Sequence, residues 1–173
     1  VAVATMTLLG DSMAVLFSAW GYGVTAVELV AAVAVVTALA AATRLSRWTW
    51  PLLVAAAGLE AWLFVHFGLY ASAVLQGVVI LVCLNGWARW GRSRWRDPDE
   101  ARPRALGPIG RSGLVVAVSL GGFMLAPWLQ AFGAAASRAD AFIAVGSLAA
   151  LMLLARKRIE AWAAWAVTGI VAA

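Results

Sequence analysis

The chain has 173 residues, 64% of them hydrophobic and only 12% charged, with a mean hydropathy of +0.91. A soluble domain is about half apolar and about a quarter charged, and a core this small cannot bury the excess, so lipid must solvate much of it. The net charge of +5 excludes a nucleic-acid reading, because the basic residues sit in short gaps between apolar runs and not along one groove.

Residues 1–23 form an N-terminal segment. Asp11 and Ser12 interrupt it and Gly21-Tyr22-Gly23 ends it, which predicts an interfacial or partly inserted helix over residues 1–20. Residues 1–20 lack the basic n-region of a signal peptide. Six apolar runs follow, at roughly 24–43, 50–67, 70–88, 112–133, 139–155 and 159–173. Most approach the ~20 residues that cross about 30 Å of hydrocarbon. The last, with 15 residues, is short of a comfortable span.

The basic residues alternate with the runs. Arg44 and Arg47 follow the first run, seven arginines from Arg89 to Arg111 follow the third, and Arg156, Lys157 and Arg158 follow the fifth. The opposite side has Arg138 alone. By the positive-inside rule the rich side is cytoplasmic and the first span starts outside. Residues 91–111, with Pro98, Pro103 and Pro108 among mixed charges, predict a cytoplasmic linker.

That linker divides a three-helix unit, residues 24–90, from a bridging helix at 112–133 and a second, incomplete unit at 139–173. At an offset of 114 residues "ATRLSRWTW" lies over "ARKRIEAWAA", so that Arg44 matches Arg158 and Trp48 matches Trp162. Helix triplets repeated in the same direction about an odd linker helix are a transporter device. The fold expected is an all-α integral membrane protein with a 3+1+3 plan and parallel triple-helix repeats. The seventh helix is then expected beyond Ala173, which makes the carboxyl terminus a truncation.

No catalytic set is legible. His66 is the single histidine, Cys83 stands alone in an apolar run, and no phosphate-binding glycine loop occurs. An enzyme, a metal and a cofactor are therefore not expected. Tryptophan is the abundant residue, with ten copies, many beside charges. An aromatic belt accounts for single indoles at the headgroup level. The pairs Trp87/Trp90 and Trp162/Trp165 are three apart, which puts two rings on one helix face, a spacing that can sandwich a flat heteroaromatic ligand. Glu28 and Glu60 are costly in hydrocarbon unless paired or facing a cavity. Gln76 suits an interhelical hydrogen bond or a bond to a polar substrate.

The runs "FSAWGYGVTAVELVAA", "WTWPLL", "HFGLYASAVLQ" and "NGWARW", with "ADAFIAVGSLAALMLLARKRIEAWAAW" in the second half, resemble the bacterial nicotinamide riboside transporter family, PnuC. The resemblance implies a multi-pass protein of the bacterial inner membrane with its amino terminus outside. It implies facilitated diffusion of nicotinamide riboside or a related vitamin precursor, with thiamine carried in related branches, and a homo-oligomer. The substrate residues carried over are Trp50, Gln76, Trp87, Trp90, Lys157, Glu160, Trp162 and Trp165. Departures fall at Leu53, Ala56, Ala161 and Gly169, where the family has glycine or polar residues. They motivate the alternative of a non-transporting, degenerate paralogue acting as a membrane interaction protein.

Overall fold

The structure, a computed structural model, describes residues 15–19, 22–96, 102–131 and 137–172. Among the described residues two strands, β1 (Val15–Ala19) and β2 (Tyr22–Thr25), precede six helices. These are α1 (Ala26–Thr43), α2 (Thr49–His66), α3 (Tyr70–Arg96), α4 (Pro108–Ala131), α5 (Ser137–Ala155) and α6 (Glu160–Ala172). The helices match the six apolar runs, and five of them are long and apolar enough to cross a membrane. With 13 residues, α6 rises only roughly 20 Å, which is less than the hydrocarbon thickness.

Exposed large aliphatic residues such as Val33, Val36, Val74, Leu81, Leu120 and Ile170 lie on the outer faces of the helices. Such an apolar surface fits lipid as the solvent.

One expectation needs correction. Residues 1–20 do not continue as a helix into the first span, since Val15–Ala19 is a strand paired antiparallel with Tyr22–Thr25. Val15 and Phe17 favour extended backbone, and Gly23 packs its bare Cα against Val15, where an added Cβ would lie 3.0 Å from both methyls. The remainder of that expected helix, residues 1–14, lies outside the described residues. Helix also extends into the segment expected as the linker: α3 runs on to Arg96 and α4 begins at Pro108. Proline is favoured in the first turn, where its missing N–H costs no hydrogen bond.

The chain forms two compact units, Val1–Ile80 and Leu81–Ala173, and the division falls inside α3. In the first unit α1 packs along α2. Ala31, Ala38 and Ala42 of α1 are buried, as are Leu53, Ala56 and Ala57 of α2. Small residues let two backbones approach closely, which substitutes for a hydrophobic drive that lipid does not supply. Thr25 starts α1 with a capping box: its Oγ1 accepts from the Glu28 N–H (3.3 Å), and its own N–H donates to Glu28 Oε2 (2.8 Å). Glu28 is thereby explained as a helix-start residue and not an acid buried in a span.

The second unit follows the same logic with glycine. α4 packs on α5 and α5 on α6. A Cβ at Gly122 would lie 2.6 Å from the Phe142 ring, and one at Gly146 would collide with Thr168. These positions have no room for a side chain.

The turns that close α1 and α5 are alike. Leu45 N–H donates to Ala42 and Ser46 N–H to Ala41, while Lys157 N–H donates to Leu154 and Arg158 N–H to Leu153. Both are Schellman caps with a left-handed non-glycine residue, Leu45 at φ 50° and Lys157 at φ 53°. The two turns are 112 residues apart, against 114 in the sequence match, and at the turn spacing Trp162 lies over Trp50.

Candidate functional site

Within the first unit, Trp50 is fully buried in the opening turn of α2. Gln76, on α3, donates from Nε2 to Glu60 Oε2 on α2. An amide and a carboxylate that are each costly in hydrocarbon thus satisfy one another across two helices. Sequence reasoning named both groups and asked for a partner for Glu60, but it left the two unconnected. Sixteen residues and the turn between α2 and α3 separate them, and no local periodicity encodes that pairing.

The second unit brings five of the other six residues, all but Trp87, into three associations. Trp90 is buried, and the Lys157 ammonium lies 5.9 Å from the centroid of its ring, within the range of a cation–π contact. Lys157 reaches that position from the left-handed turn after α5, and its backbone carbonyl accepts from the Arg104 N–H at 3.0 Å. Trp87 is 41% exposed. The three-residue spacing therefore leaves one indole inside and the other outside.

Glu160, first residue of α6, is the second centre. Its Oε1 accepts from the Leu106 N–H at 2.9 Å and from Arg111 Nε at 3.0 Å. Its Oε2 is buried and has no hydrogen-bond partner among the described residues. The carboxylate sits at a helix N-terminus, where the helix dipole favours negative charge. Arg158 Nη1 donates to the Ala105 carbonyl at 3.0 Å, and the Ile159 N–H donates to the Arg104 carbonyl at 3.2 Å. Residues 104–106 are therefore clipped to the turn at 157–160. Arg111 and the segment 104–106 are the participants that sequence reasoning missed. Their basic and extended character was visible, but the partner lay more than forty residues away.

Trp162 and Trp165 form the third association. Their ring centroids are 5.7 Å apart with planes at 66°, an edge-to-face contact that suits the ring quadrupoles. The two rings therefore leave no slot between them for a flat ligand. A heteroaromatic guest would instead stack on an open ring face, and Trp162 is 40% exposed.

Of the four departures, Leu53, Ala56 and Ala161 are buried, Ala161 completely, while Gly169 is exposed. Each buried replacement sits in the packed interior of its unit, where an unpaired polar side chain is costly. His66 lies against aromatic neighbours, with Trp62 stacked at 5.8 Å and Phe67 edge-on at 5.9 Å. Among the described residues no group of three or more histidine, cysteine and acidic side chains is placed to hold a metal ion.

Residues 25–173 match the family model described as nicotinamide mononucleotide transporter. The riboflavin/roseoflavin transporter RibM of Streptomyces davaonensis is 31% identical over 136 residues, 77% of this chain and 63% of RibM. The chain thus spans less than two thirds of the length of that curated relative. The crystal structure of the vitamin B3 transporter PnuC shares the fold, with a TM-score of 0.69 and 22% identity, covering 98% of this chain and 69% of that one.

Proposed function

The chain belongs to the nicotinamide mononucleotide transporter family, and from that premise we propose that it carries a vitamin precursor with a flat heteroaromatic ring across the bacterial inner membrane by facilitated diffusion. Nicotinamide riboside is the first substrate on this reading. The observation that carries it is the clustering at the α5–α6 turn. There the Lys157–Trp90 contact, the Glu160–Arg111 pair and the Trp162–Trp165 pair stand within nine residues of sequence on the turn side. An indole face supplies stacking worth about 1 kcal/mol, and Lys157 and Glu160 supply hydrogen bonds to ribose hydroxyls. Trp50, Gln76 and Trp87 complete the proposed substrate set.

The same reading puts the amino terminus outside, with the basic turns after α1, α3 and α5 in the cytoplasm. It assigns α1–α3 and α5–α6 to two parallel repeats bridged by α4, in a protein that assembles as a homo-oligomer. The shared Schellman turns support the repeat.

A second substrate, riboflavin, is favoured by the 31% identity with RibM. The buried apolar residues Leu53, Ala56 and Ala161 also speak for a larger, more apolar ring system than nicotinamide. Uptake of labelled nicotinamide riboside, riboflavin and thiamine into cells making the full-length protein separates these readings. Saturable uptake of nicotinamide riboside, competed by unlabelled compound, is the expected result. Uptake of riboflavin alone selects the second reading. No uptake of any of them, with the protein correctly inserted, removes transport in favour of the degenerate paralogue.

A further inference from the structure

A cavity of about 490 Å³ opens between α4, α5 and α6. Its walls are almost wholly hydrocarbon, with Leu114, Val118, Phe142, Ile143 and Val167 among them. Sites of roughly 300–1,000 Å³ hold small ligands, which they orient with a few placed polar groups. Here a substrate rich in hydroxyls would find little to bind. The walls contribute only the hydroxyls of Ser119 and Thr168, and the latter is already donated to the Trp165 carbonyl at 3.0 Å.

The charged groups are confined to one end. Arg111 lies in the first turn of α4 and Glu160 opens α6, so both lie at helix ends, at the depth where a membrane helix meets headgroups. The groove continues from there past Val118 and Ile143 towards Val171. A chain of hydrocarbon with a charged head matches this polarity.

We propose that this groove holds one acyl chain of an anionic glycerophospholipid, with the lipid phosphate on Arg111. The pairing geometry explains why Arg111 is available. Only its Nε meets Glu160, at Oε1 and 3.0 Å, while Glu160 Oε2 has no hydrogen-bond partner among the described residues. A two-pronged arginine–carboxylate pair would occupy both oxygens. The single contact holds the guanidinium in place and leaves its terminal nitrogens for a second anion, on a side chain that is 58% exposed. Arg104 and Arg158 are drawn to the same end by the clip at 104–106, so the local charge is positive and favours an anionic lipid over a zwitterionic one. Val115 and Val167 beside the groove are 65% and 60% exposed, which lets a lipid enter sideways. The proposal is independent of which vitamin precursor is carried.

The test is lipid titration of the full chain purified in neutral detergent, using phosphatidylglycerol and phosphatidylcholine of the same acyl composition. Native mass spectrometry counts retained lipid, and thermal unfolding follows stabilisation. One phosphatidylglycerol per chain is expected, with a larger rise in melting temperature than phosphatidylcholine gives. Arg111→Gln should bind phosphatidylglycerol about tenfold more weakly and lose the preference. Ala164→Phe fills the groove without touching the ion pair and should lose both lipids. Equal retention of the two lipids by the unmodified chain overturns the proposal. So does a phosphatidylglycerol preference that survives Ala164→Phe, or a lipid-free dimer whose contact Ala164→Phe disrupts.

Discussion

Leu45 and Lys157 hold the same left-handed conformation, and Lys157 also sets its ammonium over the Trp90 ring. A left-handed L-residue costs about 1–2 kcal/mol, and glycine avoids it. Leu45→Gly is therefore expected to raise stability by about 1 kcal/mol, read as a higher melting temperature in detergent. Lys157→Gly relieves the same strain but removes the cation–π contact with Trp90, worth about 0.5–1 kcal/mol. Its net effect should be close to zero, while Lys157→Ala should lower the melting temperature. If Lys157→Gly stabilises as much as Leu45→Gly, the Lys157–Trp90 contact contributes nothing.

Gln76 and Glu60 make a second argument at this scale. Gln76→Leu deprives Glu60 of its donor in a low-dielectric setting and should cost about 1–3 kcal/mol. Glu60→Gln in the same background should recover most of that loss, because it removes the charge that was left alone. A double-mutant cycle measures the coupling, and additive losses would show that the two side chains do not depend on one another.

Among the elements, the helix pairs are governed by where a side chain is missing. Gly146→Ala should disrupt the α5–α6 contact through Thr168, and Thr168→Ser, which removes the colliding methyl, should restore it. Gly58→Ala, in the open middle of α2 with nothing near its Cβ position, should instead stabilise by about 0.5–1 kcal/mol through helix propensity. Thermal unfolding of the three variants distinguishes packing from propensity.

The helices themselves were legible, because unbroken apolar runs and basic gaps are one-dimensional signals. The hairpin at Val15–Thr25 was not. Its residues are as apolar as those of a helix, and the choice of extended backbone depends on the strand partner and on Gly23, which packs against Val15. The carry of α3 to Arg96 was hidden for the opposite reason. "GRSRWR" is polar enough to read as a loop, yet arginine and tryptophan extend a helix readily once it has been nucleated.

For the whole molecule, the twelve-to-one split of basic residues makes a topological prediction. In a Cys83→Ser background, cysteines placed at Arg47 and Arg156 should be protected from a membrane-impermeant thiol reagent in intact cells, and one placed at Arg138 should be labelled. The reverse pattern would invert the proposed orientation. The candidate site was legible to a lesser degree than this plan. Tryptophan spacing found Trp90 and the Trp162–Trp165 pair, but spacing along a helix cannot tell that Trp87 faces out while Trp90 faces in, nor that two indoles meet edge to face. Those are properties of what packs against the helix.

The clip between residues 104–106 and the turn at 157–160 has a consequence for the order in which the protein is made. The Leu106 amide is satisfied by a carboxylate 54 residues later in the chain, so during synthesis the segment must wait, exposed, while α4 and α5 are threaded into the bilayer. Protection of the Leu106 amide from deuterium thus dates the moment at which the second unit closes, and a nascent chain arrested before Glu160 should exchange there as freely as an unfolded one.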